Sequence, residues 1–109
     1  MSMDDQGCED CPPNKAAPEG AIVRQLPIIN KKGLHARATA KFVQCVENFD
    51  CEMTVSRCGE TVGGTSIMGI LTLGAGIGTT IEVAALGPQA EQAIDAITNL
   101  VANRFGGDD

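Results

Sequence analysis

The chain has 109 residues, enough for one hydrophobic core and too few for two. Its net charge of −6 is uneven: residues 1–20 carry five acids (Asp4, Asp5, Glu9, Asp10, Glu19) against Lys15, while the rest of the chain holds nine acids and seven bases. With no Trp or Tyr, only three Phe and this acidic balance, the sequence lacks the basic footprint and stacking aromatics of a nucleic-acid binder, and no run nears the roughly 20 apolar residues of a membrane span.

The first segment, "MSMDDQGCEDCPPNKAAPEG", is rich in Asp, Pro, Gly and small residues, so it buries too little apolar surface to offset its ordering entropy and is expected to be disordered over residues 1–20. It lacks a charged-then-apolar signal pattern, and the protein is expected to be cytoplasmic. Cys8 and Cys11, in "CEDC", have the spacing of half a zinc site or of a redox motif, but the second ligand pair and the strand–helix context are missing. They read as incidental thiols. Five cysteines make no even disulfide framework, and Cys45, Cys51 and Cys58 fall in core elements, so all five are expected to be reduced. Neither a metal nor a cofactor is indicated.

A folded domain is expected over residues 21–107. "AIVRQLPIIN" (residues 21–30) reads as a strand whose Pro27 argues for a sheet edge or a bulge. A helix follows over residues 36–48, with Ala38, Phe42, Val46 and Phe49 on one apolar stripe. "CEMTVSR" (residues 51–57) alternates Cys51, Met53 and Val55 against polar neighbours, as a half-buried strand does. A turn at Cys58–Gly59 and a short strand near residues 60–63 complete a hairpin. "SIMGILTLG" is a short apolar helix, and "TTIEVAAL" is a fourth strand. Gly87–Pro88 opens a last helix with proline at its first position; Ala90, Ala93, Ile94, Ile97, Leu100, Val101 and Phe105 form its core face, and Gly106–Gly107 ends it. The predicted class is α+β, in the order βαββαβα, with a four-stranded antiparallel sheet carrying three helices on one face.

The only histidine, His35, falls at or just before the start of the first helix, in "NKKGLHARATAKF". A helix start offers backbone N–H groups, including that of Ala36, and about half a positive charge, which suits an anion. Arg37 adds a planar guanidinium fork that matches a phosphate. Between Arg24 and Val46 lie five basic residues (Arg24, Lys31, Lys32, Arg37, Lys41) and no acid, so the region reads as one built to sit beside negative charge. The positive end of a helix also favours a lone pair facing it over an N–H, the state a nucleophilic ring nitrogen needs. On spacing alone, a histidine capping a helix on a basic solvated face is an equally good account.

The same stretch resembles the active-site segment of the histidine-containing phosphocarrier proteins (HPr) of the bacterial phosphotransferase system, whose motif reads G-L-H-[AT]-R-P-A. Gly33, Leu34, His35, Ala36 and Arg37 match it in order, and "GTSIMGILTLG" is similar to the family's regulatory helix K-S-I-M-G-V-x-x-L-G through Ser66, Ile67, Met68, Gly69, Leu73 and Gly74. Ala38 replaces the usual proline of the first turn, a change that keeps the helix and adds a donor, and Thr65 stands where a lysine often precedes the serine. The resemblance implies that His35 takes a phosphoryl group from phosphorylated enzyme I and passes it to enzyme IIA proteins in sugar uptake or nitrogen-related regulation. Arg37 and the Ala36 amide would stabilise it. The protein would be a monomeric carrier, not a complete enzyme. Ser66 would be a regulatory site for a serine kinase/phosphorylase, and Ile67, Met68 and Leu71 part of an apolar docking patch. The rival reading is a regulatory α+β domain whose basic loop binds an anion or small molecule without covalent chemistry; no motif supports a small phosphatase.

Overall fold

Alternating apolar residues in four short segments build one sheet. In the computed structural model, which describes residues 11–106, the strands are β1 (Ile22–Pro27), β2 (Glu52–Arg57), β3 (Glu60–Gly63) and β4 (Thr80–Leu86), antiparallel in the order β1-β4-β2-β3. The register lines Leu26 up with Ile81, and Met53 with Ala85, while Val55 lies between Val83 and Val62. These residues form the inner face. The other face carries the exposed Val23 and Leu86 among polar and small residues, with Gln25 Nε2 donating to Glu82 Oε1 across β1 and β4 and a 2.7 Å hydroxyl pair between Ser56 and Thr61 across β2 and β3.

Helices α1 (Ala36–Glu47), α2 (Ile67–Thr72) and α3 (Ala90–Ala102) accompany the sheet. α1 buries Ala38, Thr39, Phe42, Val43 and Val46, and α3 buries Ala90, Ala93, Ile94, Ile97 and Val101. Together with Ile70 of α2 they close over the inner face, where Phe42, Val55, Ile70, Ile81, Val83, Ile94 and Ile97 reach zero exposure. The α+β architecture is the one expected, and Pro27 ends an edge strand where its missing N–H is harmless. None of these helices is long and apolar enough to cross a membrane.

Three details differ from the sequence reading. Pro88 precedes the N-cap of α3, Gln89, and is not its first residue. The cause is a cross-tie between loops: Gln89 N–H donates to Asp50 O while Asp50 N–H donates to Gln89 Oε1, which delays the helix start. α3 also stops at Ala102, and Phe105 reaches the core from a following 3₁₀ turn (Arg104–Gly106) in which Arg104 and Phe105 both have positive φ. Finally, the cysteines are not all reduced. Cys11 and Cys58, 47 positions apart, are joined by a disulfide, whereas Cys45 and Cys51 are free thiols. Spacing along the chain carries no sign that residue 11 meets the β2–β3 turn. Cys8 lies outside the described residues, as does Gly107.

Residues 11–20 form no helix or strand, but Asn14 Oδ1 accepts from Gly59 N–H at 2.8 Å beside the disulfide. Strand directions place the loop leaving β1, the β2–β3 turn and the loop entering β4 at one end of the sheet, since Pro27 pairs with Thr80 and Ser56 with Glu82. That end carries the start of α1.

Candidate functional site

The loop between β1 and α1 is fixed by its own polar atoms. Asn30 is buried and donates from Nδ2 to Gly33 O at 2.8 Å, while Gly33 N–H returns to Asn30 O. Leu34 N–H donates to Ala75 O at 2.8 Å, seating the loop on the segment between α2 and β4, and the buried Thr39 hydroxyl donates to Leu34 O. Gly33 has φ +65, and a Cβ there would lie 2.6 Å from Gly76 Cα. Only glycine fits this contact and this backbone.

This seat delivers His35 as the N-cap of α1, in extended conformation, with Nδ1 accepting from Arg37 N–H at 3.2 Å. Histidine is not among the favoured N-cap residues, so its place here reflects more than helix starting. An Nδ1 that accepts must present its lone pair to the helix start, which in the neutral ring puts the proton on Nε2. His35 is half-buried, Ala36 and Arg37 are exposed, and the Arg37 amide lies on the imidazole.

The other bases divide. Lys31 and Lys32 are exposed in the same loop. Arg24 is turned away: on the inner face of β1 it pairs with Asp95 at 3.4 Å and donates to Thr98 Oγ1 at 3.1 Å on α3. Lys41 donates to Phe105 O at 2.8 Å, fastening the C-terminal turn to α1. Two of the five bases counted along the sequence are therefore structural.

Ser66 is the exposed N-cap of α2, its Oγ accepting from Gly69 N–H at 3.2 Å. Gly69 permits close packing, because a Cβ there would stand 2.8 Å from Ser66 Oγ and 3.0 Å from Val62 Cβ. α2 buries Ile70 and leaves Ile67 and Met68 at 42% and 71% exposure, with Leu71 half-buried, so its surplus apolar residues do face outward. Ile29 and Ile77, which the sequence reading passed over, are also exposed, in the two loops that meet at Gly33. Asn30 and Thr39 were missed as well; polar residues inside an apolar pattern were their only signal.

Residues 22–103 match the family model described as the PTS HPr component phosphorylation site. The chain belongs to the HPr family of phosphotransferase-system phosphocarriers. It is 49% identical over 85 residues to the phosphocarrier protein HPr of Cupriavidus necator, covering 78% of this chain and 96% of that one. It is 44% identical over 82 residues to the HPr of Pseudomonas aeruginosa, covering 74% of this chain and 91% of that one. Among solved structures, HPr from Thermoanaerobacter tengcongensis superimposes with a TM-score of 0.77 at 36% identity, covering 81% of this chain and 99% of that one. All of these matches leave part of this chain uncovered, and the family model begins at residue 22.

Gly33→Ala is expected to lower unfolding stability by about 2 kcal/mol, the sum of a left-handed alanine and a displaced Ala75–Gly76 segment. Urea denaturation should show a lower midpoint with an unchanged slope.

Proposed function

We propose that His35 carries a phosphoryl group between phosphorylated enzyme I and enzyme IIA proteins, using Nδ1 as the acceptor atom. The observation that supports this reading most directly is the 3.2 Å contact of Nδ1 with Arg37 N–H at the start of α1. The Nδ1 lone pair attacks phosphorus, a new N–P bond forms as the donor's phosphorus bond breaks, and the donor leaves with the bonding pair. As the bond forms, Arg37 N–H passes from the ring nitrogen to a phosphoryl oxygen, and in this reading the Ala36 amide and the Arg37 guanidinium take the others. Meeting the charge spread over three oxygens with donors close at hand is most of what phosphoryl transfer asks of a protein. Transfer onward is the same step reversed with another acceptor. In this reading donor and acceptor are both other proteins, so the chain acts as a carrier that needs its partners.

Ile67, Met68 and Leu71 form the apolar part of the docking surface in this reading, and Lys31 and Lys32 its basic part. Ser66 is a site for a serine kinase and a phosphorylase. A phosphate at this N-cap would be favourable for the helix, because it meets the positive end of α2, yet it would set a dianion beside the docking patch.

Incubation with phosphoenolpyruvate, magnesium and enzyme I should place an acid-labile, base-stable phosphoryl group on the chain, and none on His35→Ala, whose half-exposed side chain is not needed for folding. Labelling of His35→Ala at the normal rate would contradict the assignment, and no labelling of wild type would favour non-covalent anion binding. Arg37→Ala should slow labelling by about 100-fold, the scale of one lost donor to a developing oxyanion, and Arg37→Lys should recover only part of it.

Ser66→Asp should leave the melting temperature unchanged or slightly raised and reduce the initial rate of His35 labelling about tenfold. Ser66→Ala should label normally and lose about 1 kcal/mol with its cap. Rates measured at several carrier concentrations separate these outcomes.

A further inference from the structure

Three polar side chains are buried among the described residues, Asn30, Thr39 and Ser56, and two of them act on the loop that carries His35. Asn30 Nδ2 donates to Gly33 O at 2.8 Å, and the same oxygen accepts from His35 N–H at 2.9 Å. Thr39 holds the next two carbonyls, its hydroxyl donating to Leu34 O at 3.3 Å and its N–H to His35 O at 2.8 Å. The second of these is the ordinary first bond of α1, accepted by the N-cap. The hydroxyl bond is not ordinary. A threonine inside a helix returns to the carbonyl four residues back, whereas Thr39 reaches five back, to the residue before the N-cap. Three successive peptide groups on the way into α1 are therefore each held at the oxygen. This bears on the ring, because His35 Nδ1 accepts from Arg37 N–H at 3.2 Å, the long end of the range for an N–H donor. A small rotation of the Leu34–His35 peptide weakens that bond, and as it weakens more of the neutral ring carries its proton on Nδ1 instead of a lone pair.

We propose that Asn30 and Thr39 are positioning residues for the phosphoryl acceptor: they hold the Gly33 and Leu34 peptides so that Nδ1 of His35 faces the start of α1, and thereby set the rate of transfer and not the affinity for partners. Their donors act on backbone oxygens and reach the reacting nitrogen only through the conformation of residues 33–35. Thr39 lies on the buried stripe of α1 between Ala38 and Phe42, where valine has the same shape, so its hydroxyl and not its bulk distinguishes it. Both residues are buried, whereas Lys31, Lys32, Ile67 and Met68 are exposed, so removing either donor leaves the proposed partner contacts in place. A purely structural role, in which the two side chains only satisfy carbonyls in an apolar interior, predicts a loss of stability alone. The kinetic part of the inference rests on the carrier reading above, and the part that concerns ring orientation does not.

Thr39→Val keeps the shape of the side chain and removes its donor, and Thr39→Ser returns the donor. With enzyme I and phosphoenolpyruvate, initial rates of labelling over a range of carrier concentrations, taken well below the melting temperature, should give Thr39→Val a kcat about tenfold lower and a KM within about twofold of wild type, as a misaligned acceptor does. Asn30→Ala should behave alike, and Thr39→Ser should recover most of the rate. In the unphosphorylated chain, nitrogen-15 NMR should show the Arg37 amide proton moving upfield in Thr39→Val and Asn30→Ala, with a larger share of the ring protonated on Nδ1. Thr39→Ser should return both signals towards wild type. A wild-type kcat in the folded variants, a defect confined to KM, an unmoved Arg37 amide, or a defect that Thr39→Ser leaves in place would each overturn the proposal. Asn30→Ala decides it by the same readouts if Thr39→Val does not fold. Absence of label from wild type would instead overturn the carrier reading, with the Arg37 amide and the ring tautomer still deciding whether Asn30 and Thr39 orient His35.

Discussion

The hydrogen bond from Leu34 N–H to the Ala75 carbonyl joins the loop before α1 to the loop after α2, and His35, the proposed phosphoryl acceptor, is positioned by that junction. A glycine with φ +65 allows the two backbones to touch, and Asn30 and Thr39 fill the polar valences that the contact would otherwise leave in an apolar interior. With the loop seated, His35 caps α1, and its Nδ1 is held against the Arg37 amide. In the proposed reading, backbone geometry orients the acceptor nitrogen before any partner arrives. Preorganisation of this kind matters for a carrier, because the same donors must serve donor and acceptor complexes in turn.

The same junction links the site to the rest of the surface. α2, which ends at the Ala75 segment, shows Ile67 and Met68 to solvent, and Ile77 emerges just beyond the contact with Gly33. In the proposed reading, this apolar surface beside a basic loop is where successive partners dock, and a phosphate at Ser66 would change its charge without disturbing the helix it caps. Arg57, which donates to Leu73 O, ties the end of β2 to the same framework, and the Cys11–Cys58 bond fastens residue 11 to the turn that follows.

Periodicity was enough to read the sheet and the three helices, because strands buried on one face and helices with one apolar stripe leave their period in the sequence. The placement of His35 and Ser66 at helix starts was legible for the same kind of reason, because helix starts are written in neighbouring residues. Contacts between distant segments were not legible. Arg24 and Lys41 looked like part of a basic field, yet the inner face of β1 gives the first to Asp95 and Thr98, and the 3₁₀ turn gives the second to Phe105 O. Pro88 was displaced from the helix start by a cross-tie between Asp50 and Gln89, and Cys11 found Cys58 across 47 positions. In each case the deciding partner is fixed by the fold and leaves no local pattern.

The central claim is that Nδ1 of His35, held at the start of α1, is the atom that bears the phosphoryl group. Nitrogen-15 NMR of the imidazole, with the backbone amide of Arg37 followed in the same sample before and after phosphorylation by enzyme I, tests it directly. The account predicts phosphorus coupling and a large shift at Nδ1, with the Arg37 amide proton moving downfield as it turns from the ring to a phosphoryl oxygen. Phosphorus on Nε2, with the Arg37 amide unmoved, would contradict it.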